Sequence, residues 1–244
     1  MEDLPALFIS SVVHHFSESS INDLLHLDQR LWTHVGQTHK DKRIYYFVHL
    51  EMGAERVFRS LRDGDDSFTI GAALKNNLQF SRIKYYVVSD LFNSAAIIED
   101  READLIRNFL QRVPVQNFAC TMNTLPKTLD FMWKVPATEI GVFQWPQDVF
   151  EYHLFENDRL EVVTTTESDV TLRGRKFQEL RRFMESWKND KVVDEIGNPL
   201  EQVSLKKLGF QLKSGSREKA QFELKLSKTK NGVQRSVRFV LEFV

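Results

Sequence analysis

The sequence has few cysteines, glycines and prolines, and each scarcity excludes a class of protein. Its 244 residues include one cysteine, Cys120, so neither an internal disulfide nor a multi-cysteine zinc site can form. Ten glycines and six prolines are too few for a collagen-like or low-complexity chain. No stretch approaches the roughly 18 continuous apolar residues of a membrane span, and residues 1–5 lack the start of a secretory signal. We therefore expect an intracellular protein, cytoplasmic or nuclear or both, that binds no membrane.

The sequence also lacks an excess of charge of either sign. Thirty-three basic residues stand against thirty-four acidic ones, and the formal net charge is −1. Proteins that bind nucleic acid through phosphate contacts usually carry a basic excess, so we expect no nucleic-acid partner. A basic cluster at 173–188 leaves a phosphate-binding surface as an alternative. Because Glu179 and Glu185 are interspersed in it at helical spacing, the cluster is more typical of a solvated helix face.

Motifs that carry chemistry are missing as well. The sequence contains no phosphate-binding glycine loop, no Gly-x-Ser-x-Gly and no His-Glu-x-x-His. Five of the seven histidines fall within the first 40 residues, which leaves a zinc site as a minor alternative, but the spacing supplies no third ligand. Cys120 lies in an apolar strand candidate, where a thiol usually behaves as an inert small hydrophobe. We expect no catalytic residue, no metal and no cofactor; an enzyme of unrecognised type stays open as an alternative.

The first feature that the sequence does contain is an apolar N-terminal segment with helical spacing. The spacing of Leu7, Phe8, Val12, Val13 and Phe16 predicts one helix. A second helix is expected to begin near Ser20, because Ser20 and Asp23 have capping-box spacing, and to continue through Val35. The polar run 36–43 is expected to end it. These features define a helical module over residues 1–43.

Residues 44–244 change to short β-rich runs that alternate with helical segments. The predicted strands are 44–50, 83–88, 115–120, 138–145, 160–163 and 200–205, and the predicted helices are 100–112, 125–133 and 176–188. At the end, two alternating segments around Asn231–Gly232 predict a β-hairpin. We therefore expect a mixed α/β (α+β) fold: a short helical module, then an irregular leucine-rich-repeat-like strand–helix solenoid that ends in a β-hairpin.

The N-terminal module resembles an F-box. The residues that carry the resemblance are Leu4-Pro5, Ile9, Val12-Val13, Phe16, Ile21, Leu24-Leu25, Leu27 and the closing Arg30-Leu31-Trp32. An F-box typically opens with Leu-Pro, continues through paired aliphatic residues and closes on an Arg-x-Trp-like element. One difference is that Ala6-Leu7-Phe8 stands where an acidic residue often follows Leu-Pro.

Residues 160–208 resemble the F-box-associated region of the expanded nematode F-box families. The resemblance rests on Phe183-Met184-Glu185-Ser186-Trp187 followed by Leu200-Glu201. Leu180-Arg181-Arg182 replaces the Asp-Leu-Asn that is familiar before the Phe. The two resemblances occur in the order and spacing expected of one such protein.

These resemblances imply a substrate-recruiting adaptor of a cullin–RING (SCF-like) ubiquitin ligase. Its N-terminal helices would bind a Skp1-like protein, and residues 44–244 would bind an unidentified target protein, with specificity expected in loops 63–67, 76–79 and 213–219. The residues expected to contact the Skp1-like protein are Leu4, Pro5, Ile9, Val12, Val13, Leu24, Leu25 and Trp32. The alternative is a non-enzymatic interaction scaffold in which the F-box-like segment is only a structural cap.

Overall fold

The chain forms a mixed α/β fold, as the sequence predicts. The computed structural model describes residues 6–16, 18–51, 54–61, 64–89, 100–121, 127–141, 145–167, 175–193, 205–215, 220–230 and 232–243. The chain is divided into two compact units. The first unit comprises Met1–Tyr86 with Ala95–Gln116, and the second unit comprises Val87–Ser94 with Asn117–Val244.

The helices are short, and most of them lie in the first unit. They are α1 (Ala6–Val13), α2 (Glu18–Leu24), α3 (Arg30–Lys42), α4 (Ile70–Ala73) and α5 (Asp100–Arg112), then α6 (Gln147–Glu151), α7 (Arg175–Asn189) and α8 (Leu205–Leu208) in the second unit. Short helical segments of other types occur at Leu78–Phe80 and Lys127–Met132, which are 3₁₀ helices, and at Tyr152–Glu156, which is a π-helix.

The strands combine antiparallel and parallel pairing. They are β1 (Ile44–Glu51), β2 (Ala54–Leu61), β3 (Gly64–Phe68), β4 (Ser81–Ser89), β5 (Val115–Cys120), β6 (Ala137–Gly141), β7 (Val162–Glu167), β8 (Gln211–Gly215), β9 (Ala220–Lys230) and β10 (Val233–Phe243). The hydrogen-bonded order is β3-β2-β1-β4 in the first unit and β5-β6-β7-β10-β9-β8 in the second. In the second unit β6, β7 and β10 are parallel, whereas β9 is antiparallel to both β10 and β8.

In the first unit, α5 forms because its charges and its apolar face both favour a helix. Asp100 lies in the first turn and Arg112 in the last, which complements the helix dipole. Ala103, Ile106 and Phe109 recur at helical spacing and are buried. Phe109 meets the ring of Tyr46 on β1 edge to face at 5.5 Å. The observed bounds match the prediction from sequence.

In the second unit, α7 covers one face of the sheet. Phe177, Leu180, Met184 and Trp187 form the buried stripe that the sequence predicts. The helix contacts β7 and β10, and the Trp187 ring lies 6.4 Å from that of Phe239.

The predicted C-terminal hairpin is confirmed. Val237 on β10 pairs with Leu226 on β9, and Phe239 pairs with Leu224, so the alternating apolar residues of the two strands fall on one face. Gly232 occupies the turn with φ +77°, a conformation that costs glycine little.

Several local predictions are wrong. The helix expected from Ser20 to Val35 is two helices, α2 and α3, and residues 36–42 continue α3 rather than end it. Most of the expected loop 63–67 belongs to β3. Leu205, expected in a strand, begins α8; the rest of that strand prediction, 200–204, lies outside the described residues.

Candidate functional site

The N-terminal helices close an apolar core of their own. Helices α1 and α2 both contact α3. The shared core consists of Ile9, Val13, Ile21, Leu24 and Val35, and Phe16, Leu31 and Trp32 pack against it while partly exposed. Each large apolar side chain contributes roughly 1.5–3 kcal/mol when it is fully buried. These helices therefore form a three-helix module, which we define as residues 6–42.

Helix α3 completes this module although its sequence is largely polar. Thr33 donates its hydroxyl to the carbonyl oxygens of Leu27 and Gln29 at 3.0 and 3.1 Å, which holds the start of the helix. Gly36 is buried, and a Cβ added there would lie 3.5 Å from the side chains of Leu24 and Leu25. A methyl group at position 36 would thus make ordinary van der Waals contact with α2 and the residue that follows it.

The structure separates the eight predicted contact residues into three groups. Leu4 and Pro5 lie outside the described residues. Ile9, Val13 and Leu24 belong to the core of the module, so their side chains hold the helices together and do not face a partner. Val12, Leu25 and Trp32 are half-buried and remain within reach of a partner at the module surface.

The most exposed apolar side chains of the module were not among those predictions. Leu7 is 81% exposed, Phe8 52% and Leu27 47%. Phe8 and Val12 are four residues apart on α1 and therefore share a face, beside the buried row of Ile9 and Val13. The unbroken run Leu7-Phe8-Ile9 could have indicated this exposure. A helix that is apolar at three successive positions cannot bury all three side chains on one side.

Two arginines hold the end of α1. Arg82, a buried residue of β4, donates from Nη2 to the carbonyl oxygens of Val13 (3.4 Å) and Phe16 (2.8 Å). Arg43 donates to the same two carbonyls at 3.3 and 3.2 Å. Guanidinium groups at this position satisfy terminal carbonyls and complement the negative end of the helix dipole.

A second set of polar contacts joins the module to the 3₁₀ turn Leu78–Phe80. Gln79 donates its side-chain amide to Ser10 Oγ at 3.1 Å, and Ser10 Oγ lies 3.0 Å from His39 Nε2. The His39 ring also packs edge-on against Phe80 at 5.0 Å. The module is thus attached to the strands of its own unit by polar as well as apolar contacts.

We expect Arg82→Met to lower the free energy of unfolding by about 1–3 kcal/mol, because it removes two hydrogen bonds from a charged donor to partly buried carbonyls. Urea denaturation measures the change. Arg101→Met serves as the control, since Arg101 is exposed on α5 and its replacement should change stability by less than about 0.5 kcal/mol. Equal stability of the two variants would contradict the role assigned to Arg82.

Two histidines at this junction have strongly lowered pKa values. Burial, followed by the charge of Arg82, lowers the pKa of His14 to about 4. Burial, followed by the charge of Arg43, likewise lowers the pKa of His39 to about 4. Both imidazoles are therefore neutral near pH 7.

A loss of stability in mild acid follows. Because these histidines bind protons more weakly in the folded chain than at their ordinary pKa of 6.5, unfolding takes up protons between pH 6.5 and 4. Their contribution is complete above pH 6.5 and is lost as the pH falls towards 4. Urea unfolding at pH 7.5, 5.5 and 4.5 measures the slope of the free energy of unfolding against pH. The slope should be smaller in His39→Gln than in the wild type; an unchanged slope would contradict the assignment.

The second unit buries a polar and aromatic cluster around His153. Asn157 donates its amide to Ala137 O at 2.9 Å and lies 3.2 Å from His153 Nδ1. The His153 ring stacks on Phe118 at 4.8 Å, and burial lowers its pKa to about 3. Cys120 is fully buried, and its carbonyl accepts a hydrogen bond from the Trp145 indole at 3.1 Å. The cluster packs the π-helix Tyr152–Glu156 against β5.

Within the part of the chain that the structure describes, no group of three or more His, Cys, Asp or Glu side chains could hold a metal ion. None of the helices in the same residues is both long and apolar enough to cross a bilayer. Comparisons with protein families, with curated proteins and with solved structures found no match to this chain.

Proposed function

We propose that the protein is an F-box-type adaptor that recruits substrates to a cullin–RING (SCF-like) ubiquitin ligase. Its N-terminal module, within residues 1–43, binds a Skp1-like protein, and residues 44–244 bind a target protein. Such an adaptor contributes no reacting side chain. It accelerates ubiquitin transfer by raising the effective concentration of the target near the charged conjugating enzyme.

One observation carries this proposal: the three-helix module completes its own core and still presents large apolar side chains to solvent. Leu7, Phe8 and Leu27 are exposed on a module whose interior is already filled by other residues. Leu7 and Phe8 are neighbours on α1, and Leu27 follows α2. Exposed large apolar side chains that lie together are typical of a protein-binding surface. The closing element Arg30-Leu31-Trp32 begins α3, where Leu31 and Trp32 pack on the core from the surface.

A repeat-like body for residues 44–244 belongs to the same proposal. In the second unit β5, β6 and β7 are neighbours in the order in which they occur along the chain. A helical turn, Lys127–Met132, lies between β5 and β6, and α6 lies between β6 and β7. Successive strand–helix units of this kind are typical of leucine-rich-repeat-like solenoids.

Co-expression of the full chain with a Skp1-like protein tests the proposal. We expect the two proteins to co-elute from a size-exclusion column as a 1:1 complex whose mass is confirmed by light scattering. Separate elution of two well-folded proteins would overturn the adaptor function.

The second candidate is an interaction scaffold in which the helices are a structural cap. The contacts from Arg82 and Gln79 to α1 support it, because they attach the module to strands and turns of its own unit. A cap leaves the isolated chain monomeric and without affinity for a Skp1-like protein. An adaptor without its partner exposes Leu7 and Phe8 and tends to self-associate.

A further inference from the structure

Strand β9 continues beyond the strand that pairs with its outer side. Among the described strands β8 is the neighbour on that side, and the pairing runs from Ala220 to Glu223 of β9. Residues 224–230 then pair with β10 alone. Before β8, Gly209 has φ +93°, which takes the chain out of the extended conformation and stops β8 from following β9 further. In the part of the chain that the structure describes, β9 thus has no neighbouring strand on its outer side over residues 224–230.

A backbone hydrogen bond of β10 identifies the β9 residues whose amide groups point to this side. Arg238 donates its N–H to Glu161 O at 2.8 Å, away from β9. Its partner Lys225 therefore belongs to a pair without mutual hydrogen bonds, and the N–H and C=O of Lys225 point outward. Such pairs alternate along an antiparallel ladder, so Ser227 and Thr229 point their backbone groups outward as well. We call the backbone groups of these three residues the open edge.

The open edge is accessible to solvent. Lys225, Ser227 and Thr229 are all exposed, and so is Gly209, where the chain leaves the direction of β8. Among the described residues, no backbone hydrogen bond outside the β9–β10 ladder involves any of the three. A row of unpaired N–H and C=O groups is a template on which another strand can form.

The hairpin that carries the open edge is strongly basic. Residues 224–241 contain no Asp or Glu, although the whole chain has a net charge of −1. The cations of this segment are Lys225, Lys228, Lys230, Arg235 and Arg238. Lys225 and Arg238 lie directly opposite each other in the antiparallel pair, and like charges in this arrangement destabilise a sheet.

Glu223 supplies negative charge beside the open edge, but it does not balance the cations there. Its carboxylate lies 3.5 Å from Arg238 and 3.7 Å from Lys213. Lys225 forms no ion pair among the described residues. The exposed side of the hairpin therefore keeps an excess of positive charge next to the open edge, which an acidic residue of another molecule complements.

The other side of the same strand is apolar. Leu224 and Leu226 alternate with the residues of the open edge and are half-buried, opposite Phe239 and Val237, which are buried. Residues directly opposite each other in a sheet share a face. A strand added at the open edge would therefore place its side chains alternately beside Lys225 and beside Leu226.

We propose that an extended segment of a partner protein adds to β9 at the open edge, with an acidic residue opposite Lys225 and an apolar residue opposite Leu226. A polypeptide fits because its own N–H and C=O groups pair with both kinds of group at the edge. A nucleic acid would match the positive charge, but its phosphates are acceptors and leave the outward carbonyls unpaired. The inference rests on the proposed function, in which this segment belongs to the target that the adaptor holds.

Fluorescence polarisation with the full chain tests the edge addition. The probe is a fluorescein-labelled ten-residue peptide of alternating valine and glutamate, which supplies apolar and acidic residues in turn. We expect saturable binding that weakens as salt is added, and at least tenfold weaker binding of the matching valine–lysine peptide. No saturable binding, or equal binding of the two peptides, would overturn the proposal.

N-methylated peptides test whether the backbone edge is used. Alternate N–H groups of an added strand face β9, and the others face solvent. Methylating all glutamate nitrogens or all valine nitrogens therefore blocks pairing in one peptide and spares it in the other, without a change of charge. We expect one of the two peptides to bind at least tenfold more weakly than the other, which in antiparallel addition is the glutamate-methylated one. Equal affinity of the two would contradict pairing at the edge.

A ten-residue oligothymidylate tests the nucleic-acid alternative. Its phosphates carry negative charge but cannot form a strand ladder, so we expect it to displace the probe at least tenfold less well than the unlabelled valine–glutamate peptide does. Equal displacement would show that the hairpin binds any polyanion, and the edge addition would be lost.

Substitutions in the chain locate the site. Ser227→Pro removes an outward N–H and should weaken binding of the valine–glutamate peptide at least tenfold. Its matched control, Ser236→Pro, changes the residue directly opposite, whose N–H points to the other side of the hairpin, and should leave the dissociation constant unchanged. Equal affinity of the two folded variants would contradict the assignment to β9.

Charge reversal decides the matter if either proline variant fails to fold in urea denaturation. Lys225→Glu should weaken the valine–glutamate peptide at least tenfold and strengthen binding of the valine–lysine peptide. Arg159→Glu makes the same change on an exposed residue just after the π-helix and should do neither. A Lys225→Glu variant that binds both peptides as the wild type does would overturn the proposal.

Failure of the edge addition and failure of the adaptor function are distinguishable. The same variants are assayed for co-elution with the Skp1-like protein, which should not change. Loss of the predicted peptide binding alongside an intact Skp1-like complex would overturn the edge addition and leave the adaptor function standing. Edge-dependent peptide binding without any Skp1-like complex would instead support the edge addition and favour the scaffold alternative.

Discussion

Replacing Leu7 and Phe8 together by serine is expected to weaken binding of a Skp1-like protein at least 100-fold. Both side chains are exposed, and burying a large apolar side chain contributes roughly 1.5–3 kcal/mol, so their combined loss is about 3–6 kcal/mol. The free energy of unfolding should change little, because the core of the module lies in Ile9 and Val13 instead. Isothermal titration calorimetry measures the affinity, and urea denaturation measures the stability.

The matched control for this pair is Leu212→Ser with Val233→Ser. Leu212 and Val233 are 61% and 63% exposed in the second unit, so their replacement removes similar apolar surface away from the module. The control should bind the Skp1-like protein as the wild type does. Equal affinity of the two double variants would contradict the assignment of the contact to α1.

Trp187→Ala is expected to lower the free energy of unfolding by about 3–5 kcal/mol. Trp187 is 2% exposed and packs between α7 and β10, where its ring faces Phe239. Lys228 Nζ lies 4.4 Å from the centre of the indole ring and donates to the Trp187 carbonyl at 2.8 Å. Truncation therefore leaves a cavity and removes a cation–π contact. Urea denaturation measures the loss.

Lys188→Ala provides the comparison for Trp187→Ala. Lys188 is the next residue of α7, is exposed, and forms a surface ion pair with Glu185 at 3.2 Å. Pairs of this kind contribute about 0.3–0.5 kcal/mol. A Trp187→Ala variant as stable as Lys188→Ala would show that α7 does not pack on the sheet as described.

The elements that the sequence predicts best are those with a strong apolar period. Helices α5 and α7 and the β9–β10 hairpin each bury one regular stripe of large side chains, so local spacing is enough to identify them. Packing against the rest of the unit reinforces the same pattern, and therefore local and tertiary preferences agree.

The second half of helix α3 and strands β2 and β3 escaped prediction because their sequences carry no regular apolar period. The inner face of α3 includes Gly36 and His39, which carry no apolar signal, and α3 is held by contacts with α2 and with Ser10. Strand β2 lacks a strict apolar alternation and β3 has one apolar residue, Phe68. Antiparallel pairing fixes both strands, β2 against β1 and β3 against β2. The periodicity of a single sequence does not register pairing with a neighbouring strand.

The candidate site illustrates a related limit. The sequence marked α1 as apolar, but its two adjacent apolar rows, Phe8 with Val12 and Ile9 with Val13, are equivalent by spacing alone. Packing against α3 selects the second row for the core and leaves the first at the surface. Which apolar residues can meet a partner is therefore a property of the folded module.

Hydrogen–deuterium exchange of the full chain, alone and after addition of a Skp1-like protein, tests the central claim most directly. The adaptor account predicts a complex in which amide protection increases in α1 and in residues 25–35, with little change in the second unit. Absence of a complex, or protection confined to residues outside the N-terminal module, would contradict it.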